Sequence, residues 1–280
     1  MTKDFPLVIF TLLQQMAAGG FILLALLLIK QQLNQASSLQ LSRRLIVVLI
    51  LSGLALATST LHLGHPLRGA NVLLGLGRSW LSNEVIITGT FFGSVGFYWL
   101  ASWKKQEWVG LRKLSLVVGL LSGLAGLAAM SLTYMIYTVP VWDSWHTPAG
   151  FFATAATAGA LLALLLVQPI EDFYTPKIQA GLHFVGLLGL LACAIVMGMQ
   201  AAHWAGISTS VTTPAEQFAG YSSWMTARAV LLLAAGILWL ATVLKDRITP
   251  ISLLATLLLV LAAEGAGRVI YYSVHMTVGL

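Results

Sequence analysis

The chain has 280 residues, a formal net charge of +6 at pH 7, 58% hydrophobic residues and only 9% charged residues, with a mean hydropathy of +0.89. A soluble domain carries about a quarter charged residues, so water does not solvate most of this surface, and a water-soluble enzyme or binding module is excluded. The basic residues are scattered through short polar joints without the stripe that nucleic-acid binding requires, and no polar segment is long enough to fold as a second domain.

Apolar stretches near 20 residues read as transmembrane helices. They run approximately from Phe5 to Lys30, Leu45 to Leu63, Glu84 to Trp103, Leu114 to Tyr137, Pro148 to Val167, Ile178 to Ala202, Trp224 to Leu244 and Pro250 to Tyr272. The first, MTKDFPLVIFTLLQQ at its start, has no small-residue cleavage site after a short apolar core, so it reads as a span and not as a removable signal. Helices are required because lipid offers no hydrogen-bond partner to the backbone, and the alternating ten-residue pieces of a barrel are missing. The runs AAGG at 17–20, GLLSGLAGLAA at 119–129 and ATAATAGA at 153–160 suit close helix packing. The fold class is therefore all-α and integral to the membrane. Residues 1–280 form one polytopic domain of eight transmembrane helices, for which two four-helix bundles are compatible with the spacing.

Lys30, Arg43, Arg44, Lys104, Lys105, Arg112, Lys113, Lys177, Lys245 and Arg247 fall on one side of these spans. Lys3, Arg68, Arg78, Arg228 and Arg268 fall on the other. Positive residues favour the cytoplasm, so both termini are expected outside. On that outer side lie His62, His65, Arg68, Asn71, Glu84, Trp142, His146, Arg228, Glu264, Arg268 and His275, whereas His183 lies toward the inside.

Several of these residues have bland explanations. Glu84 follows Ser82 and Asn83, either of which suits an N-cap, and a carboxylate in a first turn is stabilised by the helix dipole. Glu264 and Arg268 stand four apart, on one helix face, as an ion pair or a proton route within a span. His62 and His65 are spaced for a metal, but Gly64 and Pro66 end the helix there and no second pair supplies ligands, so no metal site is assigned. The single cysteine, Cys193 in LLGLLACAIVMG, rules out an internal disulfide or an iron–sulfur cluster held by this chain alone and reads as a small core residue. The loop TVPVWDSWHTP at 138–148 is stiff and amphipathic, suited to a membrane belt, a pocket wall or a partner interface.

Four separated motifs in order, STLHLGHPLRGAN at 59–71, LSNE at 81–84, TVPVWDSWHTPAGFF at 138–152 and EGAGRVIYYSVHMTVG at 264–279, resemble the membrane anchor subunit of anaerobic dimethyl sulfoxide reductases. The first helix, PLVIFTLLQQMAAGGFILLALLLIK, is similar as well. The resemblance implies an eight-helix protein of the bacterial inner membrane that binds no cofactor of its own. It would oxidise menaquinol and anchor two soluble partners on the outer face, an iron–sulfur electron-transfer subunit and a molybdenum-containing catalytic subunit that reduces an S- or N-oxide. Such a subunit serves an oxidoreductase complex without holding its catalytic centre.

Quinol oxidation requires acceptors for two protons near neutral pH, which suits a histidine of pKa about 6.5 or a partly buried carboxylate. The resemblance makes His62 the foremost ligand of a quinol hydroxyl. Glu84 is suited to the second proton, and Arg68 to a quinone oxygen, to pairing with Glu84 or to an acidic partner. His65, Asn71, Trp142, Trp145, His146, Arg228 and His275 would line the pocket or the partner interface. A haem-containing quinol-oxidising cytochrome b needs axial histidines at matching depths on facing helices, and His183 has no evident counterpart. A secondary transporter needs broken helices at mid-membrane, which the sequence does not offer.

Overall fold

The computed structural model describes residues 5–30, 35–61, 66–208 and 212–277, apart from the side chains of Lys30 and of residues 66–70. Its long helices are α1 (Phe5–Lys30), α3 (Ile46–Leu61), α4 (Trp80–Lys104), α5 (Val109–Tyr134), α6 (His146–Val167), α7 (Pro176–Ala205), α9 (Tyr221–Leu244) and α10 (Pro250–Ser273). Two short helices, α2 (Gln35–Arg44) and α8 (Pro214–Gln217), and a 3₁₀ segment (Pro66–Gly75) join them, and no strand occurs among the described residues. Among the described residues, eight helical stretches are long and apolar enough to cross a membrane, with α2 and α3 counted as one from Gln35 to Leu61.

The helix starts have a local cause. Thr–Pro dipeptides open α7, α8 and α10: the threonine takes an extended conformation at the N-cap, its hydroxyl accepts an early backbone N–H, and the proline fills N1. A fourth Thr–Pro, Thr147–Pro148, already lies inside the first turn of α6, and its hydroxyl instead donates to the Trp142 carbonyl at 2.7 Å.

Glycine decides the central packing. A Cβ on Gly19 would collide with the Ala155 carbonyl, and one on Gly159 with the backbone of Gly19 and Gly20. The AAGG and ATAATAGA runs therefore meet, bringing α1 against α6 at backbone contact, as small residues permit in lipid. On the other side of α1, Phe21 seats against Gly119 and packs edge-on to Phe91, ring centroids 5.5 Å apart. α1 also packs on α3, α5 and α10, and α6 on α7 and α10, so one apolar core runs across the α1–α6 crossing. Outside this core, Leu188, Leu191 and Ile195 on α7 and Val230, Leu233 and Ile237 on α9 are exposed, the inversion expected where lipid replaces water as solvent.

Candidate functional site

Adjacent spans run in opposite directions, so the N-terminal ends of α1, α4, α6 and α9 share one end of the bundle with the C-terminal ends of α3, α5, α7 and α10. Among the described residues, the buried acidic and basic side chains Glu84, Arg228, Glu264 and Arg268 collect toward that end. Within α10, Glu264 is 2% exposed and bonded on several sides. Arg228 of α9 donates from Nη2 to its Oε1 at 3.0 Å and approaches Oε2 at 3.3 Å, and the Thr154 hydroxyl of α6 lies 2.7 Å from Oε2. Gly267 makes this geometry possible, because a Cβ there would come within 2.7 Å of Arg228 Cζ.

The ion pair expected between Glu264 and Arg268 is replaced by Glu264–Arg228, across helices. Arg268 instead donates to Gln15 Oε1 of α1 at 3.1 Å and lies over the Phe151 ring, 3.8 Å from its centroid. It remains within electrostatic reach of Glu264. A buried guanidinium has several N–H groups to place; Arg268 places one on Gln15 of α1 and its plane on the Phe151 ring of α6, which leaves the carboxylate to Arg228. Beside this network, Gln14 accepts from Ser52 of α3 at 2.8 Å. The QQ of LLQQMA was the signal for these glutamines, since amides inside a span need partners; nothing local announced Thr154.

Glu84 differs from the expectation of a first-turn carboxylate capped by Ser82 or Asn83. α4 begins at Trp80 after Ser79, and Asn83 Oδ1 accepts the Gly77 N–H at 2.8 Å, so Glu84 sits about one turn inside the helix. It is 2% exposed, and its Oε1 has no hydrogen-bond partner among the described residues. Thr88, one turn further on the same face, also has an unpartnered hydroxyl, and the Tyr272 hydroxyl of α10 makes no well-formed hydrogen bond although Tyr134 and Thr11 stand beside it. Thr133 of α5 stands beside Glu84, and Tyr134 and Tyr272 lie within electrostatic reach of it.

Aromatic rings close this region. Tyr134 packs against Trp142, Phe151, Tyr271 and Tyr272 at centroid distances from 5.4 to 5.9 Å. Trp142 donates to the Tyr271 carbonyl at 2.7 Å and stacks between Tyr271 and His275. Trp145 is 52% exposed and lies on His146, which is buried and faces His203 of α7 at 5.2 Å between ring centroids. His203 was not singled out by the sequence.

His62 and His65 lie outside the described residues, and the Arg68 side chain is likewise not described. Asn71 is exposed on the 3₁₀ segment. His183 is remote from all of these, with Nδ1 accepting from Trp239 at 2.9 Å. Among the described residues, no three His, Cys, Asp or Glu side chains converge as a metal site.

The described parts of the four motifs lie toward one end of the bundle, and comparison with known proteins agrees with the motifs: residues 1–274 match the family described as DMSO reductase anchor subunit (DmsC). The chain belongs to that family. It is 37% identical over 281 residues to an anaerobic dimethyl sulfoxide reductase chain of Escherichia coli (strain K12), covering 99% of this sequence and 96% of that one. It is 32% identical over 278 residues to a second anaerobic dimethyl sulfoxide reductase chain of the same organism, YnfH, with the same coverage. A shorter likeness, 34% over 146 residues, extends to a sulfite dehydrogenase subunit of Allochromatium vinosum, covering 46% of this sequence and 44% of that one. As an anchor-family member with eight candidate spans, the chain is a multi-pass membrane protein that serves a catalytic and an electron-transfer partner.

Proposed function

We propose that this chain oxidises menaquinol at the polar end of its bundle and passes the electrons to an iron–sulfur subunit, which feeds a molybdenum-containing subunit that reduces an S- or N-oxide. Glu84 is the main support. A carboxylate that is 2% exposed, with one oxygen lacking a partner, is costly in an apolar bundle unless a ligand or water completes its bonding. It follows directly on the loop that carries His62.

Each quinol hydroxyl loses one proton and one electron on the way to the quinone. In this reading the His62 imidazole accepts the first proton, Glu84 the second, and Arg68 steadies the oxygen on which negative charge develops. Tyr134, Trp142 and Tyr272 supply the aromatic wall against which a flat ring packs. Glu264, Arg228 and Arg268 have a structural role here, because their contacts tie α1, α6, α9 and α10 together. Trp145 and His275, both exposed, face the docking surface for the partners, with His146 buried beneath Trp145.

The distribution of Lys and Arg supports a periplasmic position for this end and for both termini in the cytoplasmic membrane. An outer site releases the quinol protons outside. The test uses His62→Ala and Glu84→Gln in the assembled complex, with oxide reduction driven either by a menaquinol analogue or by a reduced viologen. Loss of a proton acceptor is expected to slow the quinol-driven reaction by about a hundredfold or more while viologen-driven turnover continues. Quinol-driven turnover at the wild-type rate in both variants would overturn the assignment.

A further inference from the structure

The opposite end of the bundle holds a groove that the proposed quinol chemistry does not use. It lies between α2, the start of α3 and the end of α6, encloses about 680 Å³ and is lined by Leu39, Gln40, Arg43, Arg44, Val47 and Leu166 among others. That volume falls within the roughly 300–1,000 Å³ typical of small-ligand sites. Ala36, Gln40 and Arg43 recur at helical spacing along one face of α2, whereas Val47 and Leu166 continue the groove as an apolar trough between two spans.

Two observations fix its chemistry. Neither the Arg43 nor the Arg44 guanidinium has a hydrogen-bond or ion-pair partner among the described residues, although both border the groove. The nearby acid is already engaged: Asp172 accepts from Ser37 at 2.6 Å, about two turns away along α2. The groove is also pinned at the membrane boundary. Trp99, on the last turns of α4, donates its indole N–H to the Arg43 carbonyl at 3.1 Å and packs against Trp103, which carries Lys104 over its ring. Tryptophan and lysine at a helix end mark the headgroup level.

We propose that this groove binds an anionic phospholipid, its phosphate held by Arg43 and Arg44 and one acyl chain lying along Val47 and Leu166. Charge complementarity selects the occupant: two unpaired guanidinium groups present planar forks that match phosphate oxygens, and the apolar trough below them runs toward the membrane interior. Basic pockets between spans on the positively charged side recognise acidic headgroups by this means. Orienting the protein would require only positive charge on that side, not a groove beneath it.

The test is native mass spectrometry of the full-length protein extracted from bilayers of phosphatidylglycerol and phosphatidylcholine. Wild type is expected to retain phosphatidylglycerol in preference to phosphatidylcholine. Arg43→Gln with Arg44→Gln should weaken that retention by roughly twenty-five-fold, from about fivefold per near-surface basic residue. Val47→Trp keeps every charge and fills the trough, so it should expel the lipid on its own; it also decides the matter if the double variant does not accumulate. Equal retention of phosphatidylcholine, or unchanged phosphatidylglycerol in either variant, would overturn the proposal. So would displacement by millimolar inorganic phosphate alone, which would reduce the site to an ion-binding pair.

Discussion

Glu264 faces two buried guanidinium groups, and this imbalance makes an unequal prediction. At the 3.0 Å separation from Arg228, the gross Coulomb attraction is about 5 kcal/mol at an effective dielectric constant near 20. Glu264→Gln removes the only anion and leaves Arg228 and Arg268 both charged, 5% and 6% exposed. Breaking a buried pair in this way costs about 3–5 kcal/mol. Arg228→Gln removes one of two cations and leaves Glu264 with Arg268 in reach and Thr154 still bonded, so its loss is nearer the 1.5–3 kcal/mol or so of a charge-assisted hydrogen bond. In a Glu264→Gln background, adding Arg228→Gln deletes one orphaned charge and should restore stability. The assay is thermal unfolding of the detergent-solubilised protein followed by fluorescence-detected size exclusion, where 3–5 kcal/mol corresponds to a midpoint shift on the order of ten degrees. The reasoning fails if Arg228→Gln costs as much as Glu264→Gln, or if the double variant is less stable than Glu264→Gln alone.

Gly159→Val drives a side chain into the backbone of Gly19 and Gly20 and should cost at least about 1–3 kcal/mol, seen as lost monodisperse protein. Gly198→Ala, with nothing within 4 Å of the added carbon, should leave the elution profile unchanged. Cys193 is 1% exposed and should resist a maleimide in native membranes but react after denaturation; labelling of the folded protein would contradict its packing. Trp239→Phe removes the donor to His183 Nδ1 and strands a buried acceptor, a loss of about 1–3 kcal/mol measurable in the same thermal assay.

The spans were legible because lipid leaves the backbone one local solution, and the small-residue runs that predicted close packing include the two that meet at the α1–α6 crossing. Ends were harder. QASSLQLSRR carries too little apolar pattern to announce α2, yet it folds as a helix with Leu41 and Ser42 buried against its neighbours. LSNE imitates an N-cap, but Trp80 and Leu81 allow α4 to begin a turn earlier, and that turn is what carries Glu84 into the interior. The spacing of Glu264 and Arg268 gave a correct helical face and the wrong partner. Arg228 is 36 positions from Glu264 in sequence, and only the packing of α9 on α10 brings it near.

The buried polar groups at this end differ in how many partners they have. Glu264, Thr154 and Gln15 have partners from neighbouring helices, and such mutual bonding rigidifies the bundle, although Arg228 Nε and Arg268 Nε of the same network have none among the described residues. Glu84 Oε1, Thr88 Oγ1 and Tyr272 Oη make no well-formed hydrogen bond among the described residues, and an orphaned buried polar atom is expensive enough that a bundle serving only as an anchor would gain by replacing it with an apolar one. Of these, Tyr272 belongs to the aromatic cluster and Glu84 lies within electrostatic reach of Tyr134 and Tyr272, where the proposed quinol would supply the missing partner. Glu84→Leu separates the alternatives: a purely structural carboxylate leaves quinol-driven turnover intact when the protein folds, whereas a proton-accepting one does not. A folded Glu84→Leu complex with full quinol-driven turnover would place the orphaned groups outside the chemistry.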